Sequence, residues 1–169
     1  MLMKVFNLIM LFLPLSTSST FLTLLTISTL STQPTTPQQV VTHMMQHDLF
    51  SRWLGIEVLE IKEGYSKIKM TVRAEMINGF GIVHGGIAFS LADSAFAFAC
   101  NNRNVLSVAL DTSINFLKPV HVGDVLTAEA KELHNGKSTG LYHITITNQN
   151  EHVVAVFKGT CYRTGKNLV

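Results

Sequence analysis

Fourteen consecutive residues, Ile87-Ala-Phe-Ser-Leu-Ala-Asp-Ser-Ala-Phe-Ala-Phe-Ala-Cys100, place apolar side chains on nearly every face of a helix. Such a segment reads as a helix buried all round rather than one laid on a surface. In its middle stands one carboxylate, Asp93. An ionised carboxylate in apolar surroundings is costly unless it is paired, hydrogen-bonded or used. Whatever the chain folds into must wrap this helix and account for this acid.

The flanking sequence supplies the wrapping. Val41, Met44, Met45, Leu49 and Phe50 fall within a predicted helix over 38–53, opened by Thr36 or the Pro37 turn. From Leu54 the period changes to two. Ile56, Val58 and Ile61 suggest a short strand, and Tyr65 to Val72 alternate as a second. After the long helix, 105–119 reads as a long strand, followed by strands over 125–133, 140–148 and 153–162. Turns fall at Val122-Gly-Asp124, Asn135-Gly-Lys137 and Asn148-Gln-Asn150, and Asn135-Gly136 is a hairpin signal. The expectation is an α+β fold: one long central helix wrapped by a curved antiparallel sheet of five to six strands. Hairpin-linked strands after the helix argue against a nucleotide-binding α/β fold.

At 169 residues there is room for one domain, 38–169, and a short appendage, 1–37. Within 1–30 the only charged side chain is Lys4, ahead of the apolar run Val5 to Leu15. Three readings stand open for 1–32: a secretory signal ending near Ser16-Thr-Ser18, a membrane anchor diluted by Ser, Thr and Pro14, or a mis-assigned start. Contact with a membrane is expected only if the anchor is real. Gln33-Pro-Thr-Thr-Pro37 is a linker. The net charge of +2 is scattered, without the basic stripe that nucleic acid calls for. Cys100 and Cys161 lack ligand or disulfide-framework spacing, and His43 and His47 lack the Glu of HExxH and a third ligand, so no metal site is expected.

Ahead of the helix runs Asn78-Gly-Phe-Gly-Ile-Val-His84-Gly85-Gly86. The glycine spacing is GxGxxxG, not the dinucleotide GxGxxG. Gly85 and Gly86 instead open the helix, where free N–H groups and the positive dipole end attract an oxyanion or polarised carbonyl oxygen; a tight turn before a buried helix is the plainer alternative. Asp93 lies eight residues past Gly85, about 12 Å along the axis at about 1.5 Å per residue. From there it cannot work on a carbonyl bound at its own helix start. If both act on one substrate, they come from different subunits of a two-fold dimer with antiparallel helices. The alternative for Asp93 is a buried acid satisfied by backbone donors.

Asn78, His84-Gly-Gly and Asp93 within Leu91-Ala-Asp-Ser-Ala-Phe-Ala-Phe-Ala-Cys-Asn101 resemble the hotdog-fold acyl-CoA thioesterases of the phenylacetate-degradation (PaaI) type. The likeness starts at Leu54-Gly55-Ile56 and runs through Ile114-Asn-Phe-Leu-Lys-Pro119, Gly123-Asp124 and Gly136-Lys-Ser-Thr-Gly140 to Phe157-Lys-Gly-Thr160. The first 37 residues lie outside it. The resemblance implies a hotdog fold and hydrolysis of an aryl-acetyl or related acyl-CoA, of the phenylacetyl-CoA or hydroxyphenylacetyl-CoA class. It implies Gly85 N–H polarising the thioester carbonyl and Asp93 of the other subunit as base or nucleophile. Asn78 would orient Asp93, water or the thioester, His84 would shape the loop near the thioester, and Ser94 would help position water. The acyl group is expected along the helix, with Gly86, Phe89, Phe96 and Phe98 as lining, and Lys118 or Arg163 near the coenzyme A phosphates. No cofactor is expected beyond the coenzyme A of the substrate itself. A homodimer with shared sites, paired into a dimer of dimers, and a cytoplasmic location complete the expectation. Two alternatives are a hotdog-fold enoyl-CoA hydratase or dehydratase, which works with a His/acid pair, and a non-catalytic acyl-CoA-binding module, which would leave Asp93 without a purpose.

Overall fold

The computed structural model describes residues 35–169. The stretch 1–32 with its three readings, and the linker residues Gln33 and Pro34, lie outside them. Thr36 caps the first helix, α1 (Pro37–His47), through a capping box: its Oγ1 accepts from Gln39 N at 3.3 Å, and Gln39 Oε1 accepts from Thr36 N at 2.8 Å. The single helix expected over 38–53 is two, because Asp48 interrupts it. Asp48 N–H ends α1 on Met44 O, while its carboxylate accepts from Ser51 N at 2.9 Å and opens α2 (Leu49–Leu54). A short acidic side chain that competes for backbone N–H groups favours such a break. Gly55, at φ 77°, ends α2.

Strands β1 (Glu57–Lys62) and β2 (Tyr65–Thr71) follow, then a single 3-10 turn at Ala74–Met76 that the alternation did not announce. Helix α3 (Gly85–Asn101) precedes β3 (Ser107–Phe116), β4 (Val125–Asn135), β5 (Thr139–Thr147) and β6 (Val153–Arg163). The six strands form one antiparallel sheet in the order β1-β2-β4-β5-β6-β3. Register shifts interrupt four of the five pairings, and such bulges bend and twist a sheet. The bend wraps the sheet around α3.

The inner face is corrugated to take the helix. One cross-sheet row runs Ile68, Ala128, Ile146, Ala155, alternating bulky and small side chains, all of them buried. Helix α3 answers with Leu91, Ala92, Ala95, Phe96, Phe98 and Ala99, also buried. At Gly159 the approach is close enough that a Cβ would lie 3.0 Å from the Phe96 ring. Phe96 itself packs edge-on to Tyr142, with centroids 5.5 Å apart. A buried hydroxyl, Ser66 Oγ on β2, donates to Ala95 O at 2.6 Å and ties sheet to helix.

The far end of α3 is held by polar groups. Asn102, fully buried, donates from Nδ2 to Lys62 O and Tyr65 O and accepts from Gly64 N. Beside it Glu132 accepts a two-pronged bond from Arg103 at 3.0 and 2.7 Å and further bonds from Tyr142 and Arg163. Burial alone would raise the Glu132 pKa, but Arg103 and Tyr142 outweigh it and hold the carboxyl below the usual range. Among the described residues no helix is long and apolar enough to cross a membrane.

Removing the Glu132 charge strands two arginines. Glu132→Gln should lower unfolding stability by about 2 kcal/mol, less than for a fully buried pair because the carboxylate keeps some contact with water. Urea titration of the variant against the parent at neutral pH checks this.

Candidate active site

The loop ahead of α3 is closed by one asparagine. Asn78 Oδ1 accepts from Phe80 N at 2.9 Å and Ile82 N at 3.3 Å, its N–H donates to Ile82 O, and its own carbonyl accepts from Gly81 N. An asparagine that bonds to backbone ahead of it is a common turn former. A bridge between Ile77 and Val83 and a bond from His84 N to Met76 O complete the frame. Its Nδ2 takes no bond among the described residues.

His84 is the N-cap of α3. Its Nδ1 accepts from Gly86 N at 2.8 Å and its carbonyl from Ile87 N at 2.9 Å. An accepting Nδ1 places the ring proton on Nε2. Among the described residues Gly85 N–H has no acceptor, so it is the free donor at the positive end of the helix. The expectation for Gly86 is corrected to that extent: its N–H is occupied by His84.

Around Gly85 opens a cleft of about 250 Å³, whose lining includes Asn78, Val83, His84, Ala88, Phe116 and Lys118. Its polar groups, Asn78, His84 and Gly85, stand beside apolar Val83, Ala88 and Phe116, and Lys118 also lines it. The turn supplying Val120 is pinned by Asp124, whose carboxylate accepts from His121 N and Gln149 Nε2, both at 2.8 Å, and is thereby held below its usual pKa.

Asp93 is not in this cleft. Helix α3 is covered on all sides but one, where Gly86, Phe89, Ser90, Asp93 and Ala97 form a half-exposed stripe at helical spacing. The expectation of a helix buried all round is corrected: one curved sheet with α1 and α2 leaves a strip open. Asp93 lies on that strip, its carboxylate receives no bond from the described residues, and burial pushes its pKa up. Among the described residues it is therefore neither ion-paired nor capped.

Ser94 is buried and bonded to Ser51 Oγ at 2.9 Å. Ser51 gives its own hydroxyl proton to Asp48 Oδ2 at 2.6 Å, so Ser94 must donate to Ser51 and can only accept from elsewhere. It clasps α2 to α3, and toward water it keeps only acceptor capacity. Phe98 is corrected outright: it is wholly buried in the core, with Phe96. Phe89 is half-buried and packs edge-on against Phe157, with centroids 5.3 Å apart. Arg163 is held by Glu132, Asn135 and Gly136, with its side chain only 7% exposed. Sequence reasoning missed Phe116, whose ring touches Gly85; its only signal was a place in the Phe-Leu-Lys-Pro step. His47 Nδ1 bonds to His43 O, and no group of His, Cys, Asp or Glu among the described residues is set to hold a metal.

Residues 80–155 match the thioesterase superfamily. The chain is 46% identical over 125 residues to the acyl-coenzyme A thioesterase PaaI of Escherichia coli, covering 74% of this chain and 89% of that protein. It is 29% identical to human acyl-coenzyme A thioesterase 13, over 66% and 82% of the two chains. Among solved structures, that of the E. coli PaaI protein from the phenylacetic acid degradation operon superimposes with a TM-score of 0.76 at 44% identity, covering 78% of this chain and 95% of that one. A Streptococcus pneumoniae thioesterase bound to coenzyme A gives 0.70 at 28% identity, over 75% and 98%.

Because burial raises the Asp93 pKa, the folded state holds that proton more tightly than the unfolded state does. The stability this gives is full below the ordinary carboxylate range and is lost as pH rises through the raised folded value. Asp93→Asn should therefore raise the thermal midpoint at neutral pH, with the gap closing as pH falls to about 3; calorimetry across that range checks the sign.

Proposed function

The chain belongs to the thioesterase superfamily and is an acyl-CoA thioester hydrolase of the PaaI type, and we propose that it cleaves aryl-acetyl thioesters such as phenylacetyl-CoA and hydroxyphenylacetyl-CoA at sites shared between two copies of itself. One observation carries the shared site. The free N–H of Gly85 opens on a cleft, while Asp93 sits on the uncovered strip of the same helix, outside that cleft. At about 1.5 Å per residue the two stand about 12 Å apart. A two-fold partner with its helix antiparallel supplies each cleft with the missing acid.

The free edge of β3 supports such pairing. That strand ends the sheet and exposes Val108, Leu110 and Phe116. An unpaired edge is a template for a second chain. Exposed Leu49, Phe50 and Trp53 on α2 support the joining of two dimers.

In the shared site the thioester oxygen accepts from Gly85 N–H, which stabilises the negative charge that grows there. Asp93 of the partner subunit either takes a proton from the attacking water or attacks the carbonyl carbon itself, forming an anhydride that water opens. On both routes the C–S bond breaks, coenzyme A leaves as its thiolate, and the acyl group leaves as the acid. Asn78 presents Nδ2 to orient the reacting groups, since its oxygen holds the loop. The Nε2–H of His84 stands on the same wall. Lys118 meets the coenzyme A phosphates at the mouth of the cleft. The reaction calls on no metal or resident cofactor, and its substrate belongs to the cytoplasm.

Thiol release from phenylacetyl-CoA by the full-length chain tests the reading. Asp93→Asn should reduce kcat by about 10²–10⁴-fold while the dimer persists in size-exclusion chromatography; an undiminished rate would remove Asp93 from the mechanism. Sharing is tested by mixing. Gly85→Pro deletes the N–H at the first helical position, after a residue already extended at ψ 130°, and its ring also crowds Phe116, so it disables the cleft of its own chain while leaving the Asp93 of that chain in place. Asp93→Ala and Gly85→Pro chains, each inactive, should regain part of the activity once exchanged, because one of the two hybrid sites is intact. Proven heterodimers without recovery would place each site within one chain.

A further inference from the structure

When two antiparallel helices are related by a two-fold axis, one height along each helix meets its own copy. The shared site fixes that height: with Gly85 of each chain served by the partner's Asp93, the axis crosses α3 midway between them, at residue 89. An aspartate side chain is short, so the partner's helix must lie near contact distance, where helix axes stand about 8–10 Å apart. At about 100° per residue, Phe89 and Ser90 flank the centre line of the half-exposed strip at this height, with Gly86 one turn before and Asp93 one turn after. The strip is self-complementary under such an axis. Gly86, which has no side chain, falls opposite the partner's Asp93, and the negative acid meets the positive start of the other helix.

Phe89 is braced on the side that leads to the free sheet edge. Its half-buried ring rests edge-on against Phe157 of β6, with centroids 5.3 Å apart, and Phe157 pairs with Ile114 on β3, the strand that ends the sheet. Strip and unpaired edge therefore border one another.

We infer that the uncovered strip of α3 is the contact with a second copy of this chain, with Phe89 at the two-fold axis against the partner's Phe89 and Ser90 beside it against the partner's Ser90. This rests on the proposal that Gly85 and the partner's Asp93 act on one substrate. It moves Phe89 from the lining of the acyl group, where the resemblance put it, to the joint between subunits.

Single cysteines test the self-contact, because a residue at a two-fold axis lies next to its own copy. The chain's two cysteines, Cys100 and Cys161, are buried, which keeps the background low. In the full-length protein, Phe89→Cys and Ser90→Cys should each give a covalent dimer on oxidation with diamide, which takes up the two thiol hydrogens and becomes the hydrazine; excess dithiothreitol should reverse it. Ala97→Cys, on the same strip, stands about 12 Å from the axis and about 24 Å along the helices from its copy. A disulfide needs Cβ atoms about 3.5–4.5 Å apart, so this chain should stay single. Ser90→Cys replaces one atom and serves if the Phe89 variant does not fold. A dimer in size-exclusion chromatography that stays uncrosslinked at both 89 and 90, or that crosslinks at 97 instead, overturns the inference, while the mixing of Asp93→Ala and Gly85→Pro chains decides the shared site separately. A monomer that hydrolyses phenylacetyl-CoA overturns the shared site, and this inference with it.

Discussion

A helix offers free N–H groups at one end only, so a ligand held there is out of reach of an acid two turns further along. That limit governs the organisation of this chain. Among the described residues, the acid on α3 stands on the strip that sheet and short helices leave uncovered, and no acid lines the cleft at the helix start. In the proposed dimer each protomer contributes two halves, one to each of two reaction centres. The fold supplies surfaces suited to joining them, an unpaired β3 edge and the strip itself.

Everything else keeps α3 at a fixed depth and angle. Small side chains across the sheet admit the helix, Ser66 grips it at mid-length, and Asn102 with the arginine cluster holds its end. At the other end Asn78 and His84 both use ring or amide acceptors on nearby backbone N–H groups. The consequence for chemistry is a division of labour within single side chains. Among the described residues, Asn78 has its oxygen engaged and its amide nitrogen free, and His84 has Nδ1 engaged and Nε2 free. Preorganisation of this kind lets a donor act without reorganising during the reaction.

The strands were legible because alternation is a strong signal, and β2 shows why: Ser66, Ile68 and Met70 are buried while their neighbours are not. The split between α1 and α2 was not, since Leu49 and Phe50 continue the apolar pattern across Asp48 and only the capping geometry reveals the break. The glycines that open α3 and the lone acid about two turns further on were legible from residue type and helical spacing. His84 as a cap was not, because Ser, Thr, Asp and Asn fill that position far more often. Nor was the strip beside Asp93 visible, for Ala97 and Phe89 read as core; which face a sheet leaves open depends on its curvature. Phe116 lies far from Gly85 in the chain, and only the pairing of β3 with β6 brings them together.

The contact between Gly159 and Phe96 has a consequence for how such a protein can change over time. A Cβ at Gly159 would sit 3.0 Å from the ring, so a larger residue enters there only where the phenylalanine gives by a few tenths of an ångström. Reducing Phe96 first opens a core cavity, which typically costs about 3–5 kcal/mol. Enlarging Gly159 first forces overlap. The two positions are therefore coupled, and either order of substitution passes through a less stable intermediate. Lineages carrying this pair are held to it unless some other change first raises stability enough to bridge the step, so a difference at one position should be accompanied by a difference at the other.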